Sequence, residues 1–238
     1  MIMKLGLFSD PHYCHKEMNS PRRFMQSYGK IAIAMDHFKA HGADMVICLG
    51  DLVDDCQNYE DNVRSIEKIT ALIRSYGIPF YCLMGNHDYQ NFTREEFDLR
   101  TGGAYPPPRL DVGNSTLLFL DCNYKDDGRI YEVGRVDWTN TRLPEDQMEM
   151  LRASLADPTV KNAYVFSHQS IENQVEEHHT VHNADAIRTI LAASPKVRAM
   201  LQGHYHPGHD AVIDGVKYHT VGAMCEGENN PYEILEIE

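Results

Sequence analysis

The chain has 238 residues, 42% of them apolar, and a formal net charge of −13. That is the size of one large globular domain, expected to span 1–238, and the acidic charge repels nucleic-acid phosphates, so no DNA or RNA polymer is expected as partner. No apolar run approaches the ~20 residues that cross a bilayer, and "MIMKLGLF" reads as a first strand rather than a leader, so no membrane association and a cytoplasmic location are expected.

In chain order, short apolar runs recur, each ending in polar residues. "KLGLF" runs into Ser9-Asp10-Pro11-His12, and "MVICL" into Gly50-Asp51. "FYCLM" runs into Gly85-Asn86-His87-Asp88, and "STLLFL" into Asp121. "AYVF" leads to Ser167-His168, and "VRAML" to Gln202-Gly203-His204. Runs this short and this rich in Val, Ile, Leu and Phe are expected to be buried strands. Between them, residues 22–40, 60–76, 143–155 and 183–193 carry apolar positions at helical spacing or helix-start chemistry. Beyond His209, the turn residues Asp214-Gly215 and the alternating "YEILEIE" predict hairpins and a second, more antiparallel sheet. The six cysteines include no CxxC pair, and reduced, buried thiols are expected.

Strands alternating with helices point to an α/β architecture whose ligand site lies at the strand C-terminal ends. The polar residues there are Asp10, His12, Asp51, Asn86, His87, His168, His204 and His206. They offer oxygen and imidazole donors but no thiolate, which suits divalent Mn, Fe or Zn. Seven donors, omitting His87, are too many for one tetrahedral ion and suit two ions if one carboxylate bridges. Asp51, the lone acid at the end of a central strand, is the expected bridge. Asp10 and His12 would reach one ion together if the segment is extended, because a two-residue step keeps side chains on one face.

The ordered blocks Asp10-Pro11-His12, Gly50-Asp51, Gly85-Asn86-His87-Asp88, Ser167-His168 and Gly203-His204-Tyr205-His206 resemble the signature of the calcineurin-like metallophosphoesterases. The resemblance implies a four-layer αββα sandwich with two mixed β-sheets flanked by helices. It implies one metal held by Asp10, His12, Asp51 and His206, and a second by Asp51, Asn86, His168 and His204. It implies that Asn86 assists, that His87 faces the substrate and protonates the leaving oxygen, and that Asp88 orients His87. The implied activity is hydrolysis of a small phosphorylated substrate with two divalent ions. A phosphodiester or a nucleoside-diphosphate derivative leads; a phosphomonoester, or a non-catalytic metal-binding scaffold, is the alternative.

The segments between the blocks should set specificity. Residues 13–23 end in Arg22 and Arg23, which either grip a second phosphate or open a solvated helix. "GNHDYQNFTREEF" is similar to the Mn-dependent ADP-ribose/CDP-alcohol diphosphatases and makes Tyr89 and Asn91 candidate substrate contacts. Their first motif usually ends in Gln, where this chain has His12. The run from Leu120 to Gln147 is similar to bacterial members grouped with class III cyclic-nucleotide phosphodiesterases. Tyr124 and Trp138 either stack on a base or anchor their loop. His178, His179 and His182 are either substrate contacts or a surface loop. The sequence does not state the oligomeric state.

Overall fold

The structure is a computed structural model and describes residues 2–16 and 22–238. Among these residues, ten strands form two sheets. The first takes the order β10-β1-β2-β3, from β1 (Met3–Phe8), β2 (Met45–Cys48), β3 (Phe80–Cys82) and β10 (Tyr232–Ile237). β1, β2 and β3 are parallel, and β10 runs antiparallel to β1. The second takes the order β4-β5-β6-β7-β9-β8. Its strands are β4 (Arg109–Val112), β5 (Ser115–Leu120), β6 (Asn162–Ser167), β7 (Val197–Gln202), β8 (His209–Ile213) and β9 (Val216–Thr220).

Alternation along the strands builds the layers. Leu5, Leu7 and Ile47 of the first sheet meet Leu117, Phe119 and Phe166 of the second in the core between them. The intervening Phe8, Val46 and Cys48 face outward and pack on Ile31 and Met35 of α1 (Ser27–Ala40) and Ile66 and Ile69 of α2 (Tyr59–Arg74). On the far side, Leu118, Val165 and Met200 pack on Leu151 of α5 (Glu145–Ala156) and Ile187 of α6 (Ala184–Ala192). Both faces of each sheet are covered, which is why the strands read as continuous apolar runs. The order is helix, sheet, sheet, helix.

Three expectations need correction. The late hairpin does not found the second sheet. Its centre is the parallel set β5, β6, β7, which β9 extends; β8 caps the edge, and "YEILEIE" returns to the first sheet as β10. Two short helices, α3 (Asn86–Asn91) and α4 (Arg94–Arg100), lie outside the four segments expected to be helical. The cysteines are not all thiols: Cys14 and Cys56 form a disulfide, while Cys48, Cys82, Cys122 and Cys225 are free and buried. The loops after β1 and β2 run side by side, with Tyr13 N–H donating to Leu52 O at 3.0 Å, and this brings the two Cα atoms to 5.9 Å. That spacing lies within the disulfide range. Among the described residues, no helix is long and apolar enough to cross a membrane.

Candidate metal centre

The C-terminal ends of β1, β2, β3, β6 and β7 meet on one rim. Their exit loops continue the parallel pairing: Asp10 N–H donates to Gly50 O, His12 N–H to Asp51 O, and Gly203 N–H to His168 O, at 3.1, 2.9 and 3.0 Å. The exits turn sharply. Asp10, His12, Asp51 and His204 have φ of 50, 44, 50 and 66°. Non-glycine residues held there cost about 1–3 kcal/mol each, and such strain gathers at functional sites. The extended two-residue step expected for Asp10 and His12 is therefore corrected: both residues are left-handed, and the turn itself aims them together.

Two motif glycines answer a need for space. A Cβ on Gly85 would collide with Asp51 Oδ1 and lie 2.6 Å from His168 Nε2. One on Gly203 would collide with Ser9 Oγ and lie 2.8 Å from Asp10 Oδ2. At both points a donor side chain from another strand crosses bare backbone.

All seven predicted donors converge. Asp51 Oδ2 lies 3.4 Å from both His12 Nε2 and His168 Nε2, between the two expected half-sites. Asp10 Oδ1 lies 3.7 Å from the Nε2 atoms of His12 and His206. Asn86 Oδ1 is 3.3 Å from His168 Nε2. The donor atoms of Asp10, His12 and Asp51 lie within 4.8 Å of one another, and so do those of Asp51, His168 and His204. Three imidazoles are aimed through their far nitrogens: Nδ1 of His12, His168 and His206 contacts Asp54 Oδ2, Leu49 O and Glu226 Oε1, each at 2.9 Å. That leaves Nε2 turned inward, as a metal-binding histidine requires.

The electrostatics ask for cations. Asp10 Oδ1, His12 Nε2 and His204 Nε2 are buried with no hydrogen-bond partner, and a buried polar atom left bare implies a missing partner. Burial resists charge on His12, yet Asp51, Asp10 and Asp54 outweigh it and push its pKa up to about 10. His168 is pushed up to about 9 in the same way, chiefly by Asp51. Burial and His168 hold His204 well below its usual value, in the neutral form that ligates. Without ions, protons offset the carboxylates. The donor set fits hard or borderline divalent metals.

Beside the donors is a second group. His87 Nδ1 lies 3.3 Å from Asp54 Oδ2, and Arg22 Nη1 lies 3.2 Å from the same oxygen and 3.4 Å from His87 Nε2. The His87 backbone N–H donates to Asp51 Oδ1 at 2.8 Å. Arg22, His87, Asn86 and Asp51 line one cavity of about 390 Å3 with Trp138 and His179.

Three expected site residues are engaged elsewhere, and of the two readings of Arg23 its placement matches the solvated one. Asp88 does not orient His87: its oxygens accept backbone N–H groups of Gly85, Leu52 and Val53 at 2.9, 3.2 and 3.1 Å, tying the β2 and β3 exits together. Asp54 holds the place expected of it. Tyr89 is buried, its hydroxyl donating to Asp121 Oδ2 at 2.8 Å. Asn91 is buried too, donating to His87 O and accepting from Asn62. Arg23 is exposed and pairs with Glu228. Of the expected substrate loop 13–23, residues 17–21 lie outside the described residues. Sequence reasoning missed Asp54, Glu226 and the tie of Trp138 and His179 to this cavity. Only Asp54 left a local signal, a carboxylate three residues beyond Asp51.

Several known proteins are similar to this chain. The chain is 26% identical over 188 residues to the 3',5'-cyclic adenosine monophosphate phosphodiesterase CpdA of Escherichia coli K12, covering 78% of this chain and 62% of that protein. It is 23% identical over 233 residues to the CpdA of Haemophilus influenzae, covering 94% of this chain and 77% of that one. This chain thus spans less than two thirds of the length of the Escherichia coli relative. A dimetal phosphatase from Danio rerio superposes with a TM-score of 0.82 at 18% identity, over 98% of this chain and 91% of that one. TT1561 of Thermus thermophilus superposes with 0.65 at 12%, over the whole of both chains. At these identities the two structures speak for the fold alone. The calcineurin-like phosphoesterase family model matches residues 3–208. By that match, over most of its length, this chain belongs to the calcineurin-like phosphoesterases.

Proposed function

We propose that the protein is a metal-dependent hydrolase of a small phosphodiester or nucleoside-diphosphate derivative. The observation that carries this reading is the clustering of seven donors, with Asp10, His12, His168 and His204 gathered at Asp51, Asn86 beside His168 and His206 beside Asp10, next to a cavity that His87 and Arg22 face. Asp10, His12, Asp51 and His206 would hold one divalent ion, and Asp51, Asn86, His168 and His204 the other, Mn, Fe or Zn. Bound there, the ions would supply an activated water and neutralise charge on phosphate oxygens. The CpdA relatives, named as cyclic AMP phosphodiesterases, support the diester class.

The chain's own residues do the rest. Arg22 presents its guanidinium to a non-bridging phosphate oxygen, a fork geometry that suits phosphate. His87 turns Nδ1 toward Asp54 and Nε2 toward the cavity beside Arg22, and from Nε2 it would pass a proton to the departing oxygen. Such positioned proton transfer contributes about 10²–10⁴-fold. Asp54 keeps the His87 ring turned to the cavity while fixing His12, so the proton donor and one metal ligand share one anchor.

The test is reconstitution with Mn and assay of bis-p-nitrophenyl phosphate, p-nitrophenyl phosphate and ADP-ribose. We expect turnover of a diester or of ADP-ribose in preference to the monoester. His87→Ala should lower kcat by about 10²–10⁴-fold with both ions retained. No turnover of any ester by protein carrying two ions per chain refutes the reading.

A further inference from the structure

We infer that the cavity has a ring-binding wall, and that the substrate's non-phosphate arm bears a planar heteroaromatic group of the nucleobase class, stacked on Trp138 and His179. The inference rests on the phosphoesterase reading and names its substrate class.

Trp138 is the chain's one tryptophan. Its indole lies 5.4 Å from the rings of both His178 and His179 and 5.6 Å from that of His204. His179 lies 5.2 Å from His204 and 5.3 Å from Tyr205. The ring group is thus continuous with the metal-ligand cluster, and Trp138, His179 and Tyr205 line the cavity that holds Asp51 and His87.

A loop anchor would be packed into the core. Trp138 is 37% exposed, whereas Tyr131 of the same loop is buried in the core and Val136 is partly buried against it. Nor does the loop need it. Asn140 N–H donates to Asp137 O at 3.0 Å, the Thr139 hydroxyl to Asp137 Oδ1 at 2.7 Å, and the Tyr131 hydroxyl to Asn140 O at 3.0 Å. The facing turn is closed as firmly, by His179 N–H to Glu176 O at 2.9 Å and Val181 N–H to Ser170 O at 2.9 Å. Two independently braced loops therefore hold an indole and an imidazole beside the metal ligand His204, with the indole partly open to solvent.

An aromatic surface of this kind takes a flat ring by stacking, worth about 1–3 kcal/mol per base. Because Trp138 is one ring away from His204, the flat group must join the phosphate through a short linker, as the sugar of a nucleoside does. Glu176 at the rim offers a carboxylate to a ring amino group.

The test uses the one tryptophan as its own probe. AMP should quench Trp138 emission saturably, and ribose 5-phosphate should not. In the Mn-loaded enzyme, Trp138→Ala should raise KM for a nucleoside 3',5'-cyclic phosphate by about 5- to 150-fold. The loss of kcat/KM should be larger for the cyclic nucleotide than for the ring-free diester glycerophosphocholine, and Trp138→Phe should recover most of that difference. If no ester is turned over but AMP alone quenches, the hydrolase reading fails and the ring wall stands. Equal effects of AMP and ribose 5-phosphate, or equal losses on both diesters in Trp138→Ala, overturn the inference.

Discussion

Replacing Asp54 with Asn tests whether one carboxylate oxygen coordinates the whole reactive face. Asp54 Oδ2 lies 2.9 Å from His12 Nδ1, 3.3 Å from His87 Nδ1 and 3.2 Å from Arg22 Nη1. Asparagine keeps the shape but presents a neutral oxygen, and its NH2 group offers donors where all three partners are donors. A hydrogen bond to a charged group contributes about 1.5–3 kcal/mol, and a neutral one about 0.5–1.5. About 1–2 kcal/mol is therefore lost at each strong contact. Removing an anchor behind a metal ligand costs about 10–100-fold in affinity or activity, the same range. We expect kcat/KM in the Mn-loaded enzyme to fall about 10–100-fold and chelator competition to release one ion more readily. The melting temperature should fall as well, by roughly 2–4 °C for each kcal/mol lost, although the Asp55 N–H bond to Asp54 Oδ1, at 2.7 Å, has an amide-oxygen equivalent. Asp88→Asn is the control. Its carboxylate accepts only backbone donors, so its replacement should lower stability first. Parental kinetics in Asp54→Asn, with the loss in Asp88→Asn at an unchanged melting temperature, would return the orienting role to Asp88.

Two further outcomes follow from contacts already described. Gly85→Ala places a methyl 2.6 Å from His168 Nε2 and against Asp51; metal analysis should find less than one tightly held ion per chain, and two ions at parental affinity would refute the close-approach argument. His219, away from the cluster, is raised by Glu233 and then Asp210, against burial, to about 9. A raised imidazole pKa contributes stability fully below the unfolded value of about 6.5, lost as pH climbs through 9. The partners are partly exposed, so screening leaves about 1 kcal/mol, or roughly 2–4 °C in melting temperature. His219→Gln should flatten the decline between pH 6.5 and 9, and an unchanged slope counts against the pairing.

The donors were legible because each follows a strand buried on both faces, and such strands stand out as apolar runs with polar ends. "KLGLF" and "VRAML" announce Asp10 and His204 whatever conformation the exits take, so the wrong extended geometry at Asp10 and His12 left the donor set intact. Substrate contacts had no such support. Tyr89 and Asn91 failed because the chain coils into α3 directly after Gly85; residues four and six positions on then return to the interior, Tyr89 to Asp121 and Asn91 to Asn62. Asp54 failed for a different reason. A carboxylate near one metal ligand becomes the partner of His87 only when the exits of β2 and β3 lie side by side, and the register that sets Val46 beside Phe80 does that. Periodicity reports which face of a segment is buried, not which distant segment covers it. The same limit left Trp138 open between base stacking and loop anchoring, since its imidazole neighbours come from the turn at Glu177–His179 and the β7 exit. The specificity of such a site therefore resides in contacts between loops, the part of the molecule that a reading along one segment at a time does not reach.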